Sequence, residues 1–420
     1  MLLIDLSHTS HTPARTGIQR VARAILQHLA PKAQPITLDP FLDTWRPLEN
    51  WELANLAQTQ GGRKRGAHWP LAAQLRGRLR RTFGRPSAHA LRGDFDALIE
   101  PELFTPAVAR NFPKLFPHVR GPRVALFLDA LPLRFPEFTP PATVARFPAY
   151  LRELLHFDGI AAISADSRDS LLSYWQWLGI STPPPVLALP LGVDVEKCHT
   201  LDDTSLPLSR GPVVPSSRRP VVRSPVVRSP VVRSPVVRSP VVLSIGTLEG
   251  RKNHLALLDA AESLWSRGAT FELRLIGHAN ATGAATLARL KSLQAAGRPL
   301  RYDGPASDET IAQAYADCAF TVYPSVAEGF GLPVIESLAR GKPCICSARG
   351  ALGEISLHGG CLALDSVDSA SIAAAIESLL QTPSRLAGLS AAARQRTFKS
   401  WADYTRELET WIRTLPRRRD

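Results

Sequence analysis

Residues 323–341 read YPSVAEGFGLPVIESLARG. The apolar run AFTVYPS reads as a buried strand and the end of the stretch as a helix, so the Gly-Phe-Gly-Leu-Pro segment is a strand-to-helix turn. In an open α/β sheet such turns lie at the carboxyl edge, where ligands gather. Gly329 and Gly331 let the backbone come close to a ligand and take up positive φ. Pro333 suits the first helical position, where its missing N–H costs nothing. The amides around Gly331, Leu332 and Val334, with the helix dipole behind them, form a site for an anion such as a diphosphate. Glu328 lies just outside that site and Glu336 about one turn into the helix, with seven residues between them. A carboxylate accepts hydrogen bonds from paired hydroxyls. Two of them around an anion site fit a diphosphate with hydroxyl-rich groups at both ends, as in a nucleotide-sugar.

Two further junctions repeat this arrangement. In IGTLEGRKNHLALL a strand ends at Gly246, and a loop delivers Arg251 and Lys252 just before a helix capped by Asn253. Adjacent cations there neutralise a diphosphate at rest and as a leaving group gains charge. In TGIQR, Gly17 opens a helix beside the first strand, LLIDLS, and offers backbone amides to the same phosphates. Taken singly, each is ordinary: a Gly turn before a helix, a solvated Arg-Lys pair, a surface glutamate. Their recurrence at successive strand-to-helix junctions makes the set specific.

Both halves of the chain alternate strand and helix. The first half holds LLIDLS, the helix TGIQRVARAILQHLA with Ile18, Val21, Ile25 and Leu29 on one face, then DALIEPELF, RVALFLDALPL, DGIAAISADSRDSLLSYWQWLG and PVLALPLGVD. The second half runs from PVVLSIGTL through FELRLIG, RYDGPAS, AFTVYPS and PCICSA with helices between. This pattern predicts an α/β fold of two doubly wound domains facing a cleft. Their bounds are 1–195 and 241–397, followed by an amphipathic helix in 398–420. Between the domains, residues 196–240 are of another kind: VVRSP repeats four times from Val221 to Pro240. Proline at every fifth position excludes a regular helix or central strand, which leaves an extended linker.

A chain of 420 residues is too long for one ordinary core. No apolar run approaches the roughly 20 residues of a bilayer span. MLLIDLSHTS lacks a basic n-region and a cleavage site, so it reads as a strand. Five scattered cysteines make no disulfide framework, and Cys344 and Cys346 read as core thiols. These features point to the cytoplasm. The net charge of +13 is local: Gly62–Pro86 carries nine basic residues, counting His68, and no acid; Arg218–Arg238 carries six more. Such patches suit nucleic acid, anionic lipid or a diphosphate-bearing acceptor, although the second reads as a solvated run. Within a basic insert at about 62–92, Leu71, Leu75, Leu79 and Phe83 recur every four residues between arginines. That spacing suits a helix in an anionic membrane interface, or one docked on the first domain. No aromatic-basic platform or recognition helix supports nucleic-acid binding.

The motifs EGFGLPVIE and GTLEGRKN resemble the signatures of the family-four retaining glycosyltransferases (group 1), which have the two-domain GT-B fold. DLSHTSHTPARTGIQRVARAIL, FLDALPLRFPE, ISADSRDSLLSYW, LPLGVD and GKPCICSARGALGEI resemble that family more loosely. The resemblance implies an acceptor-side Rossmann-like first domain and a second domain that binds a nucleotide-sugar. By the same resemblance, Arg251 and Lys252 bind the donor diphosphate, Glu328 the transferred sugar and Glu336 the ribose. Gly17, Gly246, Gly331 and Leu332 lie around the donor, and the last helix crosses back to the first domain. No metal or cofactor is implied, the nucleotide-sugar being a substrate. The sequence departs at LFLDALPL, where Leu128 stands at the position of a common His before Asp129. Asp129 alone then orients the acceptor, unless His8 or His11 does so. The implied reaction moves a hexose, mannose being favoured, with retention of configuration to a glycan or lipid-linked acceptor. Bacterial surface-polysaccharide synthesis is the implied setting, in the cytoplasm or at the inner face of the membrane. A binding protein with a decayed acceptor site, and a nucleotide-sugar epimerase or hydrolase, remain alternatives.

Overall fold

The computed structural model describes residues 1–14, 17–58, 66–83, 90–193 and 239–416. Nearly all of the proline-arginine repeat segment lies outside them, as do the flanks of the basic insert. The first sheet holds β1 (Leu2–Asp5), β2 (Ala33–Asp39), β3 (Thr44–Pro47), β4 (Ala97–Glu100), β5 (Arg123–Phe127), β6 (Gly159–Ala162) and β7 (Val186–Ala188). Their spatial order is β3-β2-β1-β4-β5-β6-β7, all parallel except the β2–β3 pair. The second sheet holds β8 (Val241–Ile245), β9 (Glu272–Ile276), β10 (Leu300–Tyr302), β11 (Phe320–Tyr323), β12 (Cys344–Ser347) and β13 (Cys361–Leu364). It is wholly parallel, in the order β10-β9-β8-β11-β12-β13. In each sheet the winding reverses once, between β1 and β4 and between β8 and β11. Such switch points open crevices at the carboxyl edge.

The strands that read clearly from the sequence are those buried on both faces, as in β5, where all five residues are inside. β2, β3 and the helix Asn50–Ala57 were not expected. Pro35 and Pro47 interrupt the pattern, and β3 holds Arg46 almost wholly inside. Arg46 is tolerated there because Nε donates to Asp39 Oδ2 at 2.9 Å, Nη1 to Glu52 Oε2 at 2.8 Å and Nη2 to Glu52 Oε1 at 2.9 Å. Glu52 also meets His11 Nε2 at 2.7 Å. Burial alone would raise the Glu52 carboxyl, but His11 and Arg46 hold it down at about 2.

The helix Trp401–Thr414 follows the second domain yet covers the first. A capping box closes its start, with Ser400 and Asp403 bonding each other's backbone amides. Its buried face, Trp401, Tyr404, Leu408 and Ile412, joins the apolar cluster of Val21, Ile25 and Leu29 from the helix Gly17–Leu29. Entry to this helix passes over Gly192, where a Cβ would lie 2.6 Å from Trp401 N and 2.7 Å from Ser400 C. Those atoms are backbone and cannot swing aside. Gly192→Ala is therefore expected to destabilise the protein by about 1–3 kcal/mol, read as a lower denaturation midpoint. An unchanged midpoint would show that the crossing is loosely held. Among the described residues no helix is long and apolar enough to cross a membrane.

Candidate active site

The second domain builds its site at the β8/β11 switch point. After β8, a 3-10 turn at Gly250–Lys252 sets two cations side by side. Lys252 Nζ lies 2.6 Å and Arg251 Nη1 2.7 Å from Glu328 Oε1, which comes from the loop after β11. The two loops are tied by Val326 N to Arg251 O at 3.0 Å and by Arg251 Nη1 to Ala327 O at 2.7 Å. Tyr323 at the end of β11 donates its hydroxyl to Glu328 Oε1 at 2.9 Å and also contacts Lys252 Nζ. Glu249 takes Arg251 Nη2 at 2.9 Å and Asn280 Nδ2 at 3.1 Å. The group thus holds two cations and two carboxylates, all four largely buried. Burial would raise the Glu328 carboxyl, yet Lys252 and Arg251 hold it at about 2. Burial also pushes the Lys252 ammonium down, against the pull of Glu328.

Two local details differ from the sequence reading. Asn253 stands at the helix start but makes no side-chain cap. It takes a left-handed backbone (φ 56°), which Asn tolerates better than most residues, and donates Nδ2 to Val367 O at 2.7 Å. In the Gly-rich turn the helix begins at Leu332, so Pro333 is its second residue. The Val334 amide is already used, bonding Gly331 O at 3.0 Å, which narrows the expected anion site to the amides nearer Gly331 and Leu332. Gly331 has φ 112°, and a Cβ there would meet Leu352 Cδ2 at 2.6 Å. Gly246 is less constrained: a Cβ would find His254 at an ordinary 3.7 Å. His254 itself is buried, with neither ring nitrogen bonded, and burial followed by Lys252 pushes it down to about 3.

The first domain closes on this cluster. At Gly329 a Cβ would lie 2.5 Å from Leu128 O and 3.0 Å from Asp129 Oδ2, so only glycine lets the two loops meet here. Asp129 accepts from Leu131 N at 3.0 Å. Burial raises its carboxyl, against the Leu131 amide and the Arg251 charge. Ser167 Oγ bonds Leu128 O at 3.0 Å and reaches Gly329 O at 3.4 Å. Glu354 of the second domain accepts from Ala165 N at 3.0 Å and Asp166 N at 2.6 Å, capping the first-domain helix Ala165–Trp177 across the seam. Glu336 is also engaged from across the cleft: Arg20 Nη2, on the helix Gly17–Leu29, lies 2.5 Å from its Oε1. Gly17 opens that helix with open space around its Cβ position.

The structure thus brings Arg251, Lys252, Glu328 and Asp129 to one point and sets Glu336 on the neighbouring helix, paired with Arg20. Arg20, Tyr323, Glu249 and Glu354 escaped the sequence reading. Arg20 lies inside the quoted TGIQR, and its match to Glu336 was the signal available. His11 does not face the cleft: it is buried, with Nδ1 2.8 Å from Ser7 O and its ring stacked on Trp69 at 4.0 Å. The His8 backbone amide bonds Glu102 Oε2 at 2.8 Å, and its imidazole Nδ1 lies 3.4 Å from Gln19 Nε2 on the helix Gly17–Leu29.

Two doubly wound domains meeting at their carboxyl edges define a GT-B fold. The whole chain is similar in fold to sucrose-phosphate synthase of Thermosynechococcus elongatus (TM-score 0.64, 16% identity, 98% of each chain covered). Residues 232–396 match the family model of the glycosyl transferases group 1. Among curated proteins, the chain is 27% identical over 355 residues to the serotype-specific mannosyltransferase WbdA of Escherichia coli, covering 82% of this chain and 38% of that protein. It is 36% identical over 143 residues to the O-antigen chain mannosyltransferase B of Escherichia coli, covering 34% of this chain and 37% of that one. The chain therefore spans under two fifths of the length of these curated relatives.

Proposed function

We propose that the protein is a retaining, metal-independent glycosyltransferase that moves a hexose, mannose being the favoured one, from a nucleotide-sugar to a growing glycan. The observation that carries this reading is the convergence of Arg251 and Lys252 within 2.7 Å of Glu328 at a switch point, facing Asp129 across the seam. The likeness to two mannosyltransferases supports the choice of sugar and a role in bacterial surface-polysaccharide synthesis. In this proposal the donor diphosphate draws Arg251 and Lys252, freeing Glu328 to hold sugar hydroxyls, while Glu336 turns from Arg20 to the ribose. The acceptor oxygen bonds to the anomeric carbon on the face from which the phosphate oxygen departs. The acceptor proton passes to that departing oxygen, and the new charge on the diphosphate is met by the two cations. Positioning supplies the rest. The acceptor is proposed to be a glycan carried on a lipid diphosphate at the inner face of the membrane.

The test is a binding screen of GDP-mannose, GDP-fucose, UDP-glucose, UDP-N-acetylglucosamine and dTDP-rhamnose, with EDTA present throughout and Glu336→Ala alongside. One donor is expected to bind selectively, and about tenfold more weakly to the variant, the scale of a lost hydrogen bond to a charged group. The Arg20–Glu336 pair is half-exposed on the arginine side, so its loss should change stability by under about 1 kcal/mol. If no nucleotide-sugar binds, the transferase reading falls. Leu128, before Asp129, favours a second reading, a donor-binding protein without transfer. Selective donor binding with no product on any glycan acceptor would support it.

A further inference from the structure

We propose that the helix Leu71–Phe83 is a docking surface for an anionic lipid bilayer. Its small residues face the protein: Ala73 and Gly77 are buried, and a Cβ at Gly77 would lie 2.7 Å from Phe41 Cβ and 3.4 Å from Leu42 N. That contact fixes the helix about its own axis. At 100° per residue, Leu71, Leu75, Leu79 and Phe83 then fall on the opposite side. They are 75%, 58%, 56% and 83% exposed, so four large apolar side chains form one outward stripe. The helix is thus docked on the first domain by one face, as one of the two sequence expectations had it, and exposed on the other.

Charge identifies the occupant. The helix carries Arg76, Arg78, Arg80 and Arg81 and no acid. Arg78 flanks the stripe on one side, with its guanidinium 5.4 Å from the Phe41 ring centre. Arg76 flanks the other side, half-exposed and 3.3 Å from Glu49. An apolar stripe bordered by arginines matches a bilayer surface whose phosphates lie above its acyl chains. A second copy of the chain would instead set arginine against arginine.

The helix is held rigidly at its start, where His68 N bonds His11 O at 2.7 Å and Trp69 stacks on His11. It packs on the residues just after β2, so it sits on the carboxyl edge of the first sheet, the edge that lines the cleft. Docking sets that rim of the cleft at the lipid surface, where a lipid-diphosphate acceptor diffuses. This last consequence rests on the transferase reading, whereas the docking does not.

The experiment floats the full-length protein with phosphatidylcholine vesicles, with and without phosphatidylglycerol. Partition is expected only with phosphatidylglycerol and should weaken at high salt. Leu75→Asp combined with Leu79→Asp should lower it by about tenfold or more, and Arg76→Gln combined with Arg78→Gln by several-fold. Near-ultraviolet dichroism and nucleotide-sugar binding should stay unchanged in both variants. No flotation, or flotation equal on both vesicles and untouched by the substitutions, would overturn the proposal. Self-association without vesicles that Leu75→Asp and Leu79→Asp abolish would also overturn it, assigning the stripe to a second copy. Flotation without donor binding would sink the transferase reading and leave the docking surface standing; donor binding without flotation would do the reverse.

Discussion

Lys252→Ala is expected to lower kcat for sugar transfer by about 10²–10³-fold, the usual cost of removing one preorganised donor to developing charge. Lys252 carries the charge of its site on a point ammonium that is nearly buried, 2.6 Å from Glu328. In that setting its charge is weakly screened, and Arg251, tied to Glu249 and the Ala327 carbonyl, meets the diphosphate from its own position and does not move into the place of Lys252. The variant keeps Glu328 paired through Arg251, so the fold should survive with a modest loss of stability. Arg76→Ala, at the exposed insert helix, is the control. Its pair with Glu49 is 3.3 Å long and half-exposed, worth under about 1 kcal/mol, and with a soluble acceptor its rate should match wild type. Steady-state rates for the two variants decide the matter. Equal losses would show that the Arg251–Lys252 turn is scaffolding and that the transferred group lies elsewhere.

The two domains were legible because β5, β8 and β11 are apolar runs of strand length, each followed by turn residues and a helical period. The candidate site was legible for the same reason: its residues sit where those runs stop. What the sequence hid was each feature whose stability comes from a distant partner. β3 reads poorly because Arg46 inside a strand makes sense only beside Asp39 and Glu52. Arg20 looks like a surface residue until Glu336, 316 positions away, is brought to it. Asn253 fits the composition of a cap, yet the local turn needs a left-handed residue and uses its side chain on Val367 instead. The insert helix shows a further limit. Its four-residue repeat told that one face is apolar, but only the contact of Gly77 with Phe41 told which way that face points.

Glu328→Gln should separate binding from chemistry in opposite directions. Glu328 Oε1 alone receives Lys252, Arg251 and the Tyr323 hydroxyl, so in the ligand-free protein this carboxylate competes with any diphosphate for both cations. A neutral isostere removes the competitor and, among the described residues, leaves Glu249 as the carboxylate in direct contact with Arg251. A nucleoside diphosphate is then expected to bind about tenfold more tightly, a fraction of the ~4 kcal/mol by which two unit charges ~4 Å apart interact at an effective dielectric of ~20. Transfer should nevertheless fall by about 10²-fold, because in the proposed reaction Glu328 is the carboxylate that orients the sugar hydroxyls. Because the Glu328 carboxyl is held at about 2, it stays ionised across the neutral range. The difference in diphosphate affinity between wild type and variant should accordingly be flat from about pH 5 to pH 8, shrinking only as pH falls toward the carboxyl's own pKa. Calorimetric titration with the diphosphate, beside a rate assay, reads both effects. Weaker binding in Glu328→Gln would show that this carboxylate organises the cations rather than competing for them, and unchanged binding would place the diphosphate away from Arg251 and Lys252 altogether.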